Sequence, residues 1–123
     1  ALLLVDDDAL LRMLLHRRLV ALGWTVVATA SAGEALEAMA RHPFSLVLSD
    51  VNMPGMSGLD LCAAVRRREG GPPVVLMSGL ADAAMHRAAE EHGAVGLLRK
   101  PLDEPALAGL AAAVRSAGGV EAG

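Results

Sequence analysis

Four apolar runs of this sequence each end on polar residues whose side chains can do chemistry. If the runs are buried parallel strands, their carboxyl ends meet at one edge of a sheet, where open α/β sheets place their sites. That edge collects carboxylates, a hydroxyl and an ammonium, a set suited to magnesium binding and phosphoryl chemistry. The polar residues at the ends of the runs are Asp6, Asp7, Asp8, Ser49, Asp50, Ser78, Arg99 and Lys100.

The composition describes one compact globular domain. A length of 123 residues with 54% hydrophobic residues supports a single core. The net charge of −3 argues against direct nucleic-acid binding, because phosphate backbones are bound by clustered lysine and arginine. No run of about 18 apolar residues is present, so we expect no membrane span. The single cysteine, Cys62, excludes an internal disulfide and favours a reducing compartment, and we predict a cytoplasmic protein.

Strand-like and helix-like segments alternate along the chain. Apolar or β-branched runs predict strands at residues 2–5, 24–30, 44–49, 74–77 and 95–98. A predicted helix follows each strand. Strict alternation of this kind predicts βαβ units with right-handed crossovers, and therefore an α/β fold with a parallel sheet covered on both faces.

The segments between the strands carry helix signals. The first has leucines at helical spacing up to Gly23, a residue that suits the position just past a helix end. Ser31 and Glu34 have the form of a capping box, and Ser57 is predicted to cap the third helix. The leucines of the first helix and the buried stripe predicted for the last are Leu11, Leu14, Leu15, Leu19 and Leu22, and Leu107, Leu110, Ala111 and Val114.

Several residues with chemical potential have structural interpretations instead. Asp8 is predicted to be a helix cap, and the basic triplet 66–68 a solvated helix end, where cations oppose the helix dipole. Met53, Met56 and Cys62 are expected to pack in the interior. The histidines show no paired metal-ligand spacing and are assigned to the surface; they are His16, His42, His86 and His92.

Taken together, these motifs resemble the receiver domain of two-component response regulators. The matching segments are Val5-Asp6-Asp7-Asp8, residues 49–58, Met77-Ser78-Gly79 and Lys100-Pro101, and the resemblance covers essentially the whole chain. It implies a flavodoxin-like (βα)5 three-layer sandwich with the strand order 2-1-3-4-5, the order for which a chemotaxis receiver is a standard example. We assign residues 1–117 to this domain and the glycine-rich residues 118–123 to a C-terminal tail or linker. That composition fits a module cut from a longer protein and an ordinary frayed terminus equally well.

The resemblance implies a Mg²⁺ site among the acidic residues. Asp7 would bind the ion directly, and Asp6 would hold it directly or through a water molecule. Asp50 and the backbone carbonyl of Asn52 would complete the protein ligands. An oxygen-only set of this kind selects a magnesium-like ion.

The resemblance also implies roles in phosphoryl transfer. Asp50 would be the phosphoacceptor, attacking a phosphoryl group carried on a histidine of a sensor kinase. Lys100 would pair with Asp50 before the reaction and with phosphoryl oxygens afterwards, and Ser78 would donate its hydroxyl to a phosphoryl oxygen. Pro101 would form a cis-proline corner that aims the ammonium inward.

The implied partners follow from this function. They are a sensor histidine kinase or phosphotransfer protein, and an output domain or downstream protein that contacts the face of helix four, strand five and helix five. Neither nucleic acid nor membrane is a direct partner, and homodimer formation is left open. The domain is not expected to be a turnover enzyme, since it catalyses only its own phosphorylation and dephosphorylation.

One position departs from the family pattern. Receivers usually carry Tyr or Phe three residues before the lysine, where its inward turn reports phosphorylation, but here the residue is Leu97 and the chain has no tyrosine. An aromatic rotamer switch therefore cannot operate. We expect Ser78 to draw the loop 79–83 towards the phosphate instead. Leu80 lies two residues past Ser78, at a position where polar residues can affect the access of water to the acyl phosphate. The sequence does not predict whether an apolar residue there speeds or slows hydrolysis.

Three other functions compete with this interpretation. A phosphorylation-independent pseudo-receiver is the main alternative, although the complete set of site residues argues against it. A hydrolase with an aspartyl-phosphate intermediate needs an Asp-x-Asp motif and usually a cap domain, whereas this chain has contiguous acids after its first strand. A flavodoxin-like cofactor binder needs a phosphate loop there, and acids would repel a phosphate.

Overall fold

Five parallel strands form the middle layer of the fold, in the order β2-β1-β3-β4-β5. This computed structural model describes residues 1–115, so the predicted tail 118–123 lies outside the described residues. The strands are β1 (Leu2–Val5), β2 (Val26–Thr29), β3 (Leu46–Asp50), β4 (Val74–Ser78) and β5 (Gly96–Arg99). The helices are α1 (Ala9–Ala21), α2 (Ala32–Arg41), α3 (Gly58–Arg66), α4 (Ala83–Glu91) and α5 (Glu104–Ala108), with further helical residues at 110–115. The predicted strand order and α/β fold are confirmed.

The helices cover both faces of the sheet. Successive strand side chains point to opposite faces. Leu2 and Leu4 of β1 accordingly pack with residues of α1 and α5, while Leu3 and Val5 pack with residues of α2, α3 and α4. All four side chains are fully buried, because a parallel sheet is covered on both sides. The central strands are thereby buried on both faces, and the loops after them lie at one edge.

The sequence signals for helix boundaries are confirmed. The Asp8 carboxylate accepts hydrogen bonds from two backbone N–H groups of α1, as a helix cap does. The Ser31 hydroxyl accepts from the Glu34 N–H (3.1 Å), as in a capping box, while the Glu34 carboxylate accepts from the N–H of Ala30, one residue before the cap (3.2 Å). Gly23 follows α1 with φ of +100°, in the left-handed region that glycine tolerates.

Two apolar patterns differ from expectation. Met56 was expected to pack but is 41% exposed, in the loop between β3 and α3 where Gly55 has a φ of +77°. In α1 only Leu15 and Leu19 of the leucine pattern are buried, since one helix face alone meets the sheet. Helical spacing therefore predicted the helix correctly without showing which leucines it buries. No helix of residues 1–115 combines the length and hydropathy needed to cross a bilayer.

Cys62 is fully buried in α3, and burial raises the pKa of its thiol from 9.0 to about 11. Because the thiolate is the reactive form, we expect native Cys62 to react with a disulfide reagent at pH 8 at least about 100-fold more slowly than an exposed thiol. The rate should increase with pH up to about 11, or on unfolding in urea. Measuring thiol release with and without urea tests this, and fast release from the native protein would contradict it.

Candidate functional site

The carboxyl ends of four strands meet at one edge of the sheet. Asp6 follows β1, Asp50 is the last residue of β3, Ser78 is the last residue of β4, and Lys100 follows β5. Asp50 is in register with Met77, and Ser78 with Arg99, so the strand ends are level. Parallel pairing is what brings these widely separated residues together.

The acidic residues form a tight cluster. One carboxylate oxygen each from Asp6, Asp7 and Asp50 lie within 4.8 Å of one another. Asp6 is fully buried and Asp50 is 7% exposed, whereas Asp7 is exposed. Asp6 Oδ1 accepts a hydrogen bond from the Asp8 backbone N–H (3.0 Å), but its buried Oδ2 has no hydrogen-bond partner. A buried carboxylate oxygen without a donor is costly unless a cation compensates it.

Lys100 supplies the nearest positive charge. Its Nζ donates a hydrogen bond to Asp50 Oδ2 at 3.1 Å and lies 3.7 Å from Asp6 Oδ2. The Lys100 backbone N–H donates to the Ser78 carbonyl at 2.9 Å, which ties the end of β5 to the end of β4. The Lys100–Pro101 peptide bond is cis. The ammonium thus pairs directly with one acid and contacts another.

The surroundings of the cluster disfavour the ionised form of Asp6 and favour the protonated form of Lys100. Burial raises the pKa of Asp6, with the charges of Asp50 and Asp7 adding to the effect against the opposing Asp8 N–H and Lys100. Burial also acts to lower the pKa of Lys100, but the hydrogen bond and charge of Asp50, together with the charge of Asp6, outweigh it and the pKa is raised. Lys100 therefore stays protonated. A raised carboxyl pKa means that ionised Asp6 costs folding free energy at neutral pH until a cation compensates it.

Ser78 is fully buried beside this cluster's edge of the sheet. Its Oγ accepts a hydrogen bond from the Leu80 N–H at 3.0 Å, so its own O–H remains available to donate. Leu80 itself is 60% exposed. The hydroxyl of Ser49, the residue before Asp50, instead donates a hydrogen bond to the Asp50 backbone carbonyl at 3.0 Å.

Other predicted residues lie around the cluster in different settings. Asn52 is exposed in the loop two residues after Asp50. Leu97, in the middle of β5, is partly buried and packs against the core between the sheet and α2, α3 and α4. Arg99 is exposed at the end of β5, and its side chain forms no hydrogen bond or ion pair among residues 1–115. Asp8 serves as the α1 cap.

No role at the site was predicted from the sequence for two residues that support it, although Gly58 ends the matching segment 49–58. Gly58, the first residue of α3, donates its N–H to the Val51 carbonyl (2.8 Å) and approaches Asp50 so closely that an added Cβ would lie 2.1 Å from the Asp50 carbonyl oxygen. Arg12, in α1, donates from Nη1 to the Asp6 carbonyl at 2.7 Å. A glycine inside a predicted helix start was a usable signal, whereas nothing in the spacing of Asp6 and Arg12 indicates their contact.

The sequence family agrees with this geometry. The profile described as the response regulator receiver domain matches residues 2–112, and the chain belongs to this family. It is therefore a receiver domain of two-component signalling, as the motifs predicted.

Curated relatives are bacterial response regulators. The response regulator protein FleR of Pseudomonas aeruginosa is 46% identical over 112 residues, covering 89% of this chain and 23% of FleR. The DNA-binding transcriptional regulator NtrC of Escherichia coli K12 is 37% identical over 99 residues, covering 80% of this chain and 21% of NtrC. The chain thus spans less than a quarter of the length of these relatives.

Solved receiver structures share the fold. The chemotaxis response regulator CheY4 of Vibrio cholerae superposes with a TM-score of 0.84 at 29% identity, covering 92% of this chain and 96% of CheY4. A putative response regulator from Chloroflexus aurantiacus gives a TM-score of 0.87 at 29% identity, covering 94% and 96% of the two chains.

Proposed function

We propose that this receiver domain accepts a phosphoryl group on Asp50 in a Mg²⁺-dependent reaction. The donor is a phosphohistidine on a sensor histidine kinase or phosphotransfer protein. The observation that carries the proposal is the pair of Lys100 Nζ and Asp50 Oδ2 at 3.1 Å, next to a buried Asp6 oxygen with no hydrogen-bond partner. Such a site is built to hold cations and a transferred anion together. A complete set of these residues disfavours a phosphorylation-independent role.

The donor set fits Mg²⁺. Asp6, Asp7 and Asp50 contribute oxygens within 4.8 Å of one another, and all are hard ligands of the kind that Mg²⁺ prefers. The Asn52 carbonyl is the further protein ligand in this proposal. When bound, the ion neutralises negative charge on the acids and on the phosphoryl oxygens.

The chain's own residues perform the transfer by alignment and charge. A carboxylate oxygen of Asp50 forms a new O–P bond as the N–P bond to the donor histidine breaks, and the released imidazole nitrogen keeps the bonding electron pair and takes up a proton. Lys100, already protonated beside Asp50, then pairs with the phosphoryl oxygens. Little covalent help is needed, because phosphoryl transfer depends mainly on positioning and neutralisation.

Signalling in this proposal begins at Ser78. Its hydroxyl, whose O–H is free to donate, binds a phosphoryl oxygen and draws the loop 79–83 inward. Leu97 cannot act as an aromatic rotamer switch, so the change passes through the loop to α4, β5 and α5. The conformational change is passed to an output domain or to a separate downstream protein. The receiver domain itself belongs to a response regulator or to a hybrid kinase in this proposal. The domain occupies residues 1–117 in this proposal and catalyses only its own phosphorylation and dephosphorylation.

Removing the metal tests the proposed function directly. We expect acetyl phosphate with Mg²⁺ to add one phosphoryl group to the chain, and excess EDTA to reduce the rate by at least about 100-fold, because the clustered acids otherwise repel the donor. Intact-protein mass spectrometry measures the product. Restoring Mg²⁺ after EDTA is the control, and undiminished labelling in EDTA would refute the metal requirement.

A further inference from the structure

Hydrogen bonds hold both ends of the loop after β1 in place. The Asp6 N–H donates to the Thr29 carbonyl at 3.1 Å, and Asp6 Oδ1 accepts from the Asp8 N–H. Asp8 in turn is anchored to the start of α1 by its carboxylate. The Asp7 side chain, by contrast, makes no hydrogen bond or ion pair with residues 1–115.

The direction of Asp7 therefore depends on the backbone that carries it. The peptide between Asp6 and Asp7 is held by Arg12, whose Nη1 donates to the Asp6 carbonyl at 2.7 Å. This is a short, charge-assisted hydrogen bond from a half-buried side chain. Rotation of that peptide plane would move Asp7 relative to Asp6 and Asp50, and so would disturb the cluster.

Arg12 is unusual among the arginines. Of the ten arginines in the sequence, Arg12 and Arg18 are the two whose side chains donate hydrogen bonds within residues 1–115. Arg18 bonds to the Leu102 carbonyl and to Glu104, beyond the acidic cluster. Among residues 1–115, Arg12 is thus the arginine whose side chain donates a hydrogen bond to the loop of residues 6–8.

We propose that Arg12 is a positioning residue of the metal site, which fixes the Asp6–Asp7 peptide so that both carboxylates face one cation. This inference rests on the proposed Mg²⁺-dependent function. The positioning role and the charge of Arg12 predict opposite changes in the Kd for Mg²⁺ when Arg12 is replaced. Arg12 is positively charged, so removing its charge would by electrostatics alone strengthen cation binding. Loss of the positioning hydrogen bond would instead weaken cation binding, because groups that orient metal ligands contribute to metal affinity.

The test is Mg²⁺ titration by calorimetry of the full chain. We expect Arg12→Met to raise the Kd for Mg²⁺ by roughly tenfold. Arg12→Lys keeps the positive charge and has a shorter donor, so its Kd for Mg²⁺ should lie between those of Arg12→Met and the native chain. The matched control is Arg17→Met, in the same helix, because Arg17 is exposed and its side chain makes no hydrogen bond or ion pair within residues 1–115. The control should bind Mg²⁺ as the native chain does.

The possible outcomes separate the two proposals. Unchanged or tighter binding by Arg12→Met, with normal binding by the native chain, overturns the positioning role and leaves the proposed function intact. Failure of the native chain to bind Mg²⁺ overturns both. Urea unfolding without metal separates positioning from general stability, since a purely structural role lowers stability and leaves the Kd unchanged. If Arg12→Met does not fold, Arg12→Gln replaces it, being neutral with a shorter N–H donor, and weaker Mg²⁺ binding by it supports the inference.

Discussion

Replacing Asp50 with Asn is expected to abolish phosphoryl incorporation from acetyl phosphate and Mg²⁺, lowering the rate by a factor of at least about 10³. The amide is similar in shape to the carboxylate but is not a nucleophile, so no acyl phosphate can form. The position is 7% exposed and lies 3.1 Å from the Lys100 ammonium, which makes it the best-placed acceptor among the described residues. Mass spectrometry of the intact chain, followed by peptide mapping, measures the effect.

The control for this substitution is Asp60→Asn. Asp60 is an exposed acid in the first turn of α3, and its side chain does not belong to the cluster of carboxylates. We expect this variant to be labelled at the native rate. Labelling of Asp50→Asn at the native rate would show that another residue is the acceptor, and the peptide map would identify that residue.

Gly58→Ala is expected to produce the largest loss of stability among single-methyl additions at the site. An ideal Cβ at Gly58 would lie 2.1 Å from the Asp50 carbonyl oxygen and 2.9 Å from the Val51 Cα, both backbone atoms that cannot rotate away. We expect the free energy of unfolding to decrease by about 3 kcal/mol, as for a severe overpacking substitution. Labelling of the folded variant should also slow, because the clash displaces the strand end that carries Asp50. Urea unfolding followed by fluorescence of Trp24, the single tryptophan, measures the stability change.

Gly33→Ala is the matched control for that substitution. Gly33 also lies near the start of a helix, in α2, but an added Cβ would meet only the Ser31 Oγ, at 3.9 Å. Alanine has the higher helix propensity, so this variant should be more stable by roughly 0.5 kcal/mol. Equal stability changes for the two alanine variants would contradict the close approach of α3 to β3.

Much of the site could be predicted because its residues follow buried strands. Asp6, Asp50, Ser78 and Lys100 each stand where an apolar run ends, and parallel pairing brings such positions to one edge. The cap at Asp8 was equally local, since it involves residues within three positions. The misjudged Met56 shows the limit of this reasoning. Its apolar type favoured burial, but the loop path that leaves it 41% exposed is a three-dimensional property.

The sequence alone determined the fold class, the alternation of elements and the polar set at the strand ends, because hydrophobic periodicity and capping signals are local. Only the tertiary structure decided how those residues meet. It paired Lys100 with Asp50, left an Asp6 oxygen buried without a donor, and placed Arg12 on the Asp6 carbonyl and Gly58 against Asp50. These contacts join different elements packed around the sheet, and a contact between elements depends on distances and angles that no spacing along the chain encodes.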